Sequence, residues 1–582
     1  MLNKLFIRHF KRFEDVEIEL GDPVVFIGPN NSGKTSALQA LALWDVGLRR
    51  WNEKRKGKSV PEKRPGVTIN RKDLVAVPVP NANHLWRDLH VRDVQTREGK
   101  RDTKNVCIEI EVQGITEGKE WKCGLEFDYA NDESFYCRPL HLSEGKNPQR
   151  MSIPEQADNI VISFLPPMSG LAANETRLDA GAVNVRIGEG RTAEVLRNLC
   201  YALDEKGGER WETLAQHIKQ LFGAKLDRPE YVPERGEIVM TYRENGYSLD
   251  LSSSGRGLQQ TLLLLAYMYN NPGAVLLLDE PDAHLEILRQ RQIYKILTDV
   301  ARDNGNQIIA ASHSEVLLNE AADRDVVVAF LGRPHRIDDK GSQLLKSLRE
   351  IGFEHYYQAE QTGWVLYLEG STDLAILQTF ARKLNHEKAE ECLERPYVHY
   401  VGNQPVQVQR HFHGVREAVP KLKAMAIFDQ LDREFPPDLA SPDIDVVVWT
   451  RNEIENYFCL PETLLGYAEQ TGTTESPGEL FAKRDSARRV EIMQQSIAEI
   501  TDALEKLNEG SPWDGTMKVS DRFLVQVFKT YFKKLGLPNI MDKKNFHQLV
   551  EYVPADRIHP DVRAALDKIV DVAGRSRPAR LL

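Results

Sequence analysis

Two groups of residues in this chain have the types and spacing to handle phosphate. The first is Gly28-Pro29-Asn30-Asn31-Ser32-Gly33-Lys34-Thr35, which fits G-x-x-x-x-G-K-[ST] between the apolar run 24–27 and a helix-spaced stretch from Ser36 to Leu48. Glycines there let backbone N–H groups curl round phosphate oxygens, and the helix start adds positive potential. In that arrangement Gly28, Asn30, Asn31, Ser32, Gly33 and Ser36 form the cradle, Lys34 reaches the β- and γ-phosphates, and Thr35 holds Mg²⁺. Downstream, the apolar run 274–278 ends in Asp279 and Glu280. Asp279 is placed to bind Mg²⁺ through water, and Glu280 to polarise an attacking water.

The second group is acidic. The apolar run 364–368 ends in Glu369, with Asp373 in the first turn of a helical stretch, and the run 424–428 ends in Asp429, followed by Asp432. A third run, 445–449, leads to Glu453 and Glu455. In parallel α/β sheets, sites form at the carboxyl ends of strands. Gathering carboxylates there is costly unless cations neutralise them, and oxygen-only ligands point to Mg²⁺ or Mn²⁺. Taken singly, each acid reads as a turn former or helix cap; the combination carries the functional reading.

The elements that must position these residues form an α/β pattern. Strand, glycine loop and helix open the chain, and residues 107–136 alternate as an antiparallel lobe. From about 186 to 224 the spacing is helical, with Ala193, Leu196, Leu199, Leu203, Leu214, Ile218 and Leu221 on one face, an insert offering an apolar surface for dimerisation. The stretch 49–64 carries eight basic and two acidic residues and reads as an insertion, either a solvated loop or a DNA contact. A junction at 332–362 separates residues 1–340 from a second α/β block, 360–582, with a central parallel sheet and a helical C-terminal region.

Length and composition bound the class. At 582 residues, 41% hydrophobic and 28% charged, the chain suits two to four folded domains, and disorder or a fibre is excluded. A net charge of −10 argues against a uniformly basic nucleic-acid surface. Six scattered cysteines without a C-x-x-C pair suit neither a disulfide framework nor a zinc site. The charge-broken start Met1 to Arg8 lacks a signal-peptide core, and no apolar run approaches the roughly 20 residues of a membrane span. A cytoplasmic protein is expected.

The order of the first group resembles an ABC-type ATPase head. Leu251-Ser252-Ser253-Ser254-Gly255-Arg256-Gly257-Leu258-Gln259-Gln260 is similar to its signature loop, Pro281-Asp282 to its D-loop, and His313 to its switch histidine. That resemblance implies ATP held against Ser254 and Gly255 of a second copy, with either Ser253 or Ser254 on the γ-phosphate, and hence a dimer or tetramer. No sustained heptads suggest a long coiled-coil arm. Glu369-Gly370, Asp429 and Asp432 resemble a Toprim domain, with D-x-x-D where that family usually has D-x-D.

An ABC-type head joined to a Toprim domain resembles the OLD (overcoming lysogenization defect) family, which includes the Gabija nuclease and retron-associated effectors. The resemblance implies catalytic Glu369 and Asp429, metal ligation by these with Asp373, Asp432, Glu453 and Glu455, and a later phosphate-holding lysine, Lys543 or Lys544. It implies a nucleotide-regulated DNA endonuclease in antiviral defence, partnered by a helicase or by a retron reverse transcriptase with its RNA–DNA hybrid. The alternative is an ATP-driven clamp or sensor with a non-catalytic Toprim scaffold. A topoisomerase or primase would need a strand-passage or primer-synthesis module that is not evident.

Overall fold

The computed structural model describes residues 1–55, 66–97, 100–142, 149–205, 208–322, 324–337, 352–430, 441–475 and 479–576. The chain divides into two compact units, Met1–Phe353 and Glu354–Leu581. Among the described residues, no helix is long and apolar enough to cross a membrane.

The first unit contains a sheet in the order Ile162–Leu165, Val275–Asp279, Gln307–Ser312, Val24–Ile27, Val326–Ala329, His335–Arg336. The first five strands are parallel and the last is antiparallel. Val24–Ile27 and Val275–Asp279 are buried at every residue, which is why they read as unbroken apolar runs rather than alternations. Register pairs Ile27 with Ser312 and Asp279 with Ala311, so the glycine loop, Glu280 and His313 leave the sheet at one edge.

The second sheet of this unit is antiparallel, in the order Phe13–Glu19, Leu2–Phe10, Ile108–Thr116, Lys119–Asn131, Ser134–Pro139, Val67–Asn70. Its Ile108–Thr116 strand buries every second residue from Ile108 to Gly114. The Lys34–Arg55 helix shares one core with both sheets, its buried run Ala40 to Trp44 covering the helix all round. Trp44 fixes the contact, donating its indole N–H to the Cys123 carbonyl at 2.9 Å.

Two sequence expectations change here. Residues 49–55 are not loop but the end of this helix, where Arg49 pairs with Asp45 and Arg50 with Glu53 and Asp73. The remainder of the basic stretch, 56–64, lies outside the described residues. The 186–224 insert is helical at Leu196–Glu205 and Glu209–Phe222. Its apolar face, however, is buried within the unit's own core beside the Arg256–Asn270 helix, so it is not an open dimerisation surface. Helical spacing identifies a face that must be covered and says nothing of what covers it.

The second unit is built on a parallel sheet ordered Val398–Tyr400, Trp364–Leu368, Lys423–Phe428, Ile444–Val448. Trp364, Leu366 and Leu368 on one face pack with Phe523, Phe528 and Leu566 of the C-terminal helical region. On the other face Tyr367 meets the Pro405–Ala418 helix, and that helix receives the Tyr356 hydroxyl of Phe353–Thr362 at the Gly414 carbonyl.

Trp44→Ala removes the ring that fills the space between helix and antiparallel sheet. Its expected cost is about 3–5 kcal/mol, read as a lowered denaturation midpoint of the first unit; an unchanged midpoint would refute that packing role.

Candidate functional site

The glycine loop turns sharply before the Lys34–Arg55 helix. Gly33 has φ +106°, and a Cβ there would stand 2.7 Å from Arg12 Cδ and 2.9 Å from Phe13 Cζ, so conformation and space both demand glycine. Lys34 is buried and donates to the carbonyls of Gly28 at 2.8 Å and Pro29 at 2.7 Å, which holds its ammonium inside the loop. Burial pulls its pKa down to about 8, against the opposing pull of Asp279, Glu280 and Asp282. The Ser32 hydroxyl is buried without a partner, and Asn30 is exposed at the tip. A loop with a buried cation, an unpartnered hydroxyl and space only for backbone suits a nucleotide phosphate.

Thr35 and Asp279 are neighbours, the hydroxyl donating to Asp279 Oδ2 at 2.9 Å. Burial raises Asp279 to about 6. Next to it, Glu280 adopts φ +50° and lies 3.6 Å from His313 Nδ1. Each stabilises the other's charge: the nearby His313 lowers the Glu280 pKa, and Glu280 raises that of His313. In the signature-like segment Ser253 is exposed, whereas Ser254 is buried and donates to the Leu251 carbonyl at 2.7 Å. Gly255 precedes the Arg256–Asn270 helix.

At the strand ends of the second unit, Glu369 and Asp429 are neighbours whose like charges oppose each other. Burial first, then Glu369, pushes Asp429 far above the carboxylate range. Glu455 is raised by burial and by Glu453, Asp373 and Glu369. Asp373 accepts the backbone N–H groups of Glu369 at 3.0 Å and Gly370 at 3.3 Å, so it shapes the turn that carries Glu369. Burial raises it to about 6. Glu453 is also committed locally, both its oxygens accepting from Ser520, at 2.5 Å from the backbone N–H and 2.9 Å from the hydroxyl. Asp432 lies outside the described residues.

The lysine facing these acids is Lys518, which the sequence reading missed. Its Nζ is 4.0 Å from Glu453 Oε2; burial opposes its charge, but Glu369, Glu453 and Asp429 outweigh that and raise its pKa. Lys544, by contrast, is exposed beside Asp542, and Lys543 pairs with Asp521. Lys518 arrives because the 515–517 loop is tied to the acids' own loop. Asn452 donates its backbone N–H to Gly515 O at 2.8 Å, and Asn456 Nδ2 donates to Met517 O at 3.1 Å. No local motif marks it. The described acids do not form a closed set of three with ligand atoms within 4.8 Å, so a cation would have to draw them together. Their donor chemistry fits Mg²⁺ or Mn²⁺: several oxygens and more negative charge than Lys518 balances.

The family models that match this chain fall within the first unit. Residues 1–58 match a family model described as "AAA ATPase domain", and residues 148–319 match one described as "AAA domain, putative AbiEii toxin, Type IV TA system". A curated protein from Thermus scotoductus named "OLD nuclease" is 22% identical over 374 residues, or 59% of this chain. The chain is similar to an OLD nuclease. The match spans 66% of that nuclease's own length, just under two thirds.

Among solved structures, the SMC head domain from Thermotoga maritima is 16% identical, covering 56% of this chain and 94% of its own, with a TM-score of 0.31. The recombination mediator RecF with ATPrS is 12% identical, covering 58% and 98%, with a TM-score of 0.30. Scores this low leave the ATPase fold to rest on strand order and on the family models. A nucleotide-binding ATPase domain and kinship with a nuclease follow from the family models and the OLD nuclease.

Lys34→Ala should abolish nucleotide binding in equilibrium dialysis with ATP, whereas Glu280→Gln should bind ATP normally and hydrolyse it at least about 100-fold more slowly. Parental hydrolysis by Glu280→Gln would remove Glu280 as the residue that polarises water. Because Asp429 and Glu455 hold protons that a cation must displace, Mn²⁺ binding should tighten roughly tenfold or more between pH 6.5 and 8.5. Mn²⁺ titration followed by electron paramagnetic resonance in Lys34→Ala protein reads this, and a flat profile would contradict it.

Proposed function

We propose that the protein is a nucleotide-regulated, divalent-metal-dependent DNA endonuclease. The observation that carries the reading is the neighbouring Glu369 and Asp429 carboxyl groups on adjacent parallel strand ends, with Lys518 facing them. Kinship with an OLD nuclease supports the same reaction class. Glu369 and Asp429 hold the metal, Glu455 completes the set when deprotonated, and Asp373 and Glu453 keep the carrier loops in place. The phosphate-holding role passes from Lys543 or Lys544 to Lys518. Bound Mg²⁺ or Mn²⁺ supplies activation of water and stabilisation of the leaving 3′-oxygen of a phosphodiester.

In the ATPase unit Lys34 and Thr35 receive the triphosphate, Glu280 polarises water, and His313 keeps Glu280 ionised. Ser254 and Gly255 complete the site in a second copy of the chain, with Ser253 the exposed hydroxyl nearest the helix start, so a dimer or tetramer is the working form. Antiviral defence, with a helicase or a reverse transcriptase and its RNA–DNA hybrid as partner, is the setting the resemblance implies.

The test is plasmid cleavage with Mg²⁺ or Mn²⁺, with and without ATP. Glu369→Ala and Asp429→Ala should each reduce cleavage by roughly 100-fold or more while nucleotide binding persists, and Lys518→Ala by about 10- to 100-fold. Chelation should stop the reaction and added metal restore it. Cleavage that is unaffected by Glu369→Ala and Asp429→Ala, or a parental protein inactive under every metal and nucleotide condition, would favour the ATP-driven clamp.

A further inference from the structure

A second cluster of ligating side chains sits in the Glu354–Leu581 unit, gathered round the Tyr367 hydroxyl. His355 comes from the Phe353–Thr362 helix, His399 from the Val398–Tyr400 strand and His411 from the Pro405–Ala418 helix. Among the described residues they are the group of three or more ligating side chains whose ligand atoms all lie within 4.8 Å of one another. His411 Nε2 and His355 Nδ1 are 3.4 Å apart, and the His399 and His411 rings stack at 3.8 Å. The rings are framed by two phenols. Tyr367 Oη lies 2.8 Å from His411 Nδ1, while Tyr397 Oη lies 3.0 Å from His355 Nδ1 and 3.3 Å from His411 Nε2.

We propose that His355, His399 and His411 form a binding site for a divalent transition metal of the zinc type, distinct from the acid site.

Three imidazoles from three separate elements match the donor set such ions select, whereas Mg²⁺ and Mn²⁺ favour oxygen. Tyr367 supplies the outer partner usual for a metal-bound imidazole. With Nδ1–H of His411 donating to its hydroxyl, the Nε2 lone pair is left on the side of His355 Nδ1, 3.4 Å away. Burial first, and then the neighbouring imidazoles, pull His411 down to about 2; burial and then His355 pull His399 to about 4. Lone pairs are therefore available at neutral pH. Binding requires the stacked pair to tilt until both nitrogens stand about 2.0–2.1 Å from one ion. The bound ion would join both helices to an edge strand of the sheet that carries Glu369.

The experiment uses full-length Glu369→Ala/Asp429→Ala protein, which removes the acid site as a competitor, with cysteines alkylated after chelator treatment. Titration with Co²⁺ should give one equivalent per chain with the strong visible absorption of a four-coordinate site, displaced by Zn²⁺. His399→Gln or His355→Ala, both at partly buried rings, should lose that absorption while remaining folded by circular dichroism. If a variant unfolds, Cu²⁺ bound to the chain with all three histidines should show three imidazole nitrogens by pulsed electron paramagnetic resonance. The proposal is overturned by no stoichiometric Co²⁺ or Zn²⁺ binding, by unaltered binding in the folded variants, or by Cu²⁺ coupled to no imidazole. In each case the cluster is a hydrogen-bonded network.

Discussion

A buried carboxylate must be protonated, paired with a cation or bound to a metal, because an isolated charge cannot be taken out of water at tolerable cost. Both units are organised round that requirement. In the first, Asp279 rests against the Thr35 hydroxyl and Glu280 against His313. In the second, burial and then Glu369 push Asp429 toward its neutral form, and Lys518 supplies opposing charge. The chemistry proposed for each unit exchanges these internal partners for external ones.

Parallel sheets make such crowding possible. Strands that run the same way release their loops at one edge, so acids far apart in sequence become neighbours without any local signal. Asp373 and Glu453 at this edge also hold the loops of their neighbours in place. Asp373 accepts the amides that shape the Glu369 turn, and Glu453 is held at both oxygens by Ser520. A carboxylate whose oxygens are already occupied holds a neighbour in place at less cost than it could leave that role for a cation.

The cysteines and histidines separate along similar lines. All six cysteines are free, four of them buried, and the cysteine clusters that would signal a zinc site are absent from the sequence. The convergence of His355, His399 and His411 arises from an edge strand of the second unit's sheet and two helices, and the sequence contains no spacing that announces it. Spacing rules detect ligands that share one loop or helix; they are blind to ligands gathered from three elements.

The sequence by itself determined the phosphate loop, the strand that ends in Asp279 and Glu280, and the acids that end the second unit's strands. In each case strand, turn and functional residue are contiguous, so local geometry follows from local composition. Tertiary structure decided the partners. It brought Lys518 beside the acids by tying the 515–517 loop to Asn452 and Asn456, and it turned the helical face of Leu199, Leu214 and Ile218 into core. It also made residues 49–55 the end of a helix. Periodicity reports that a surface must be buried and a charge compensated; which surface and which charge answer is set by strand order and packing across long sequence separations.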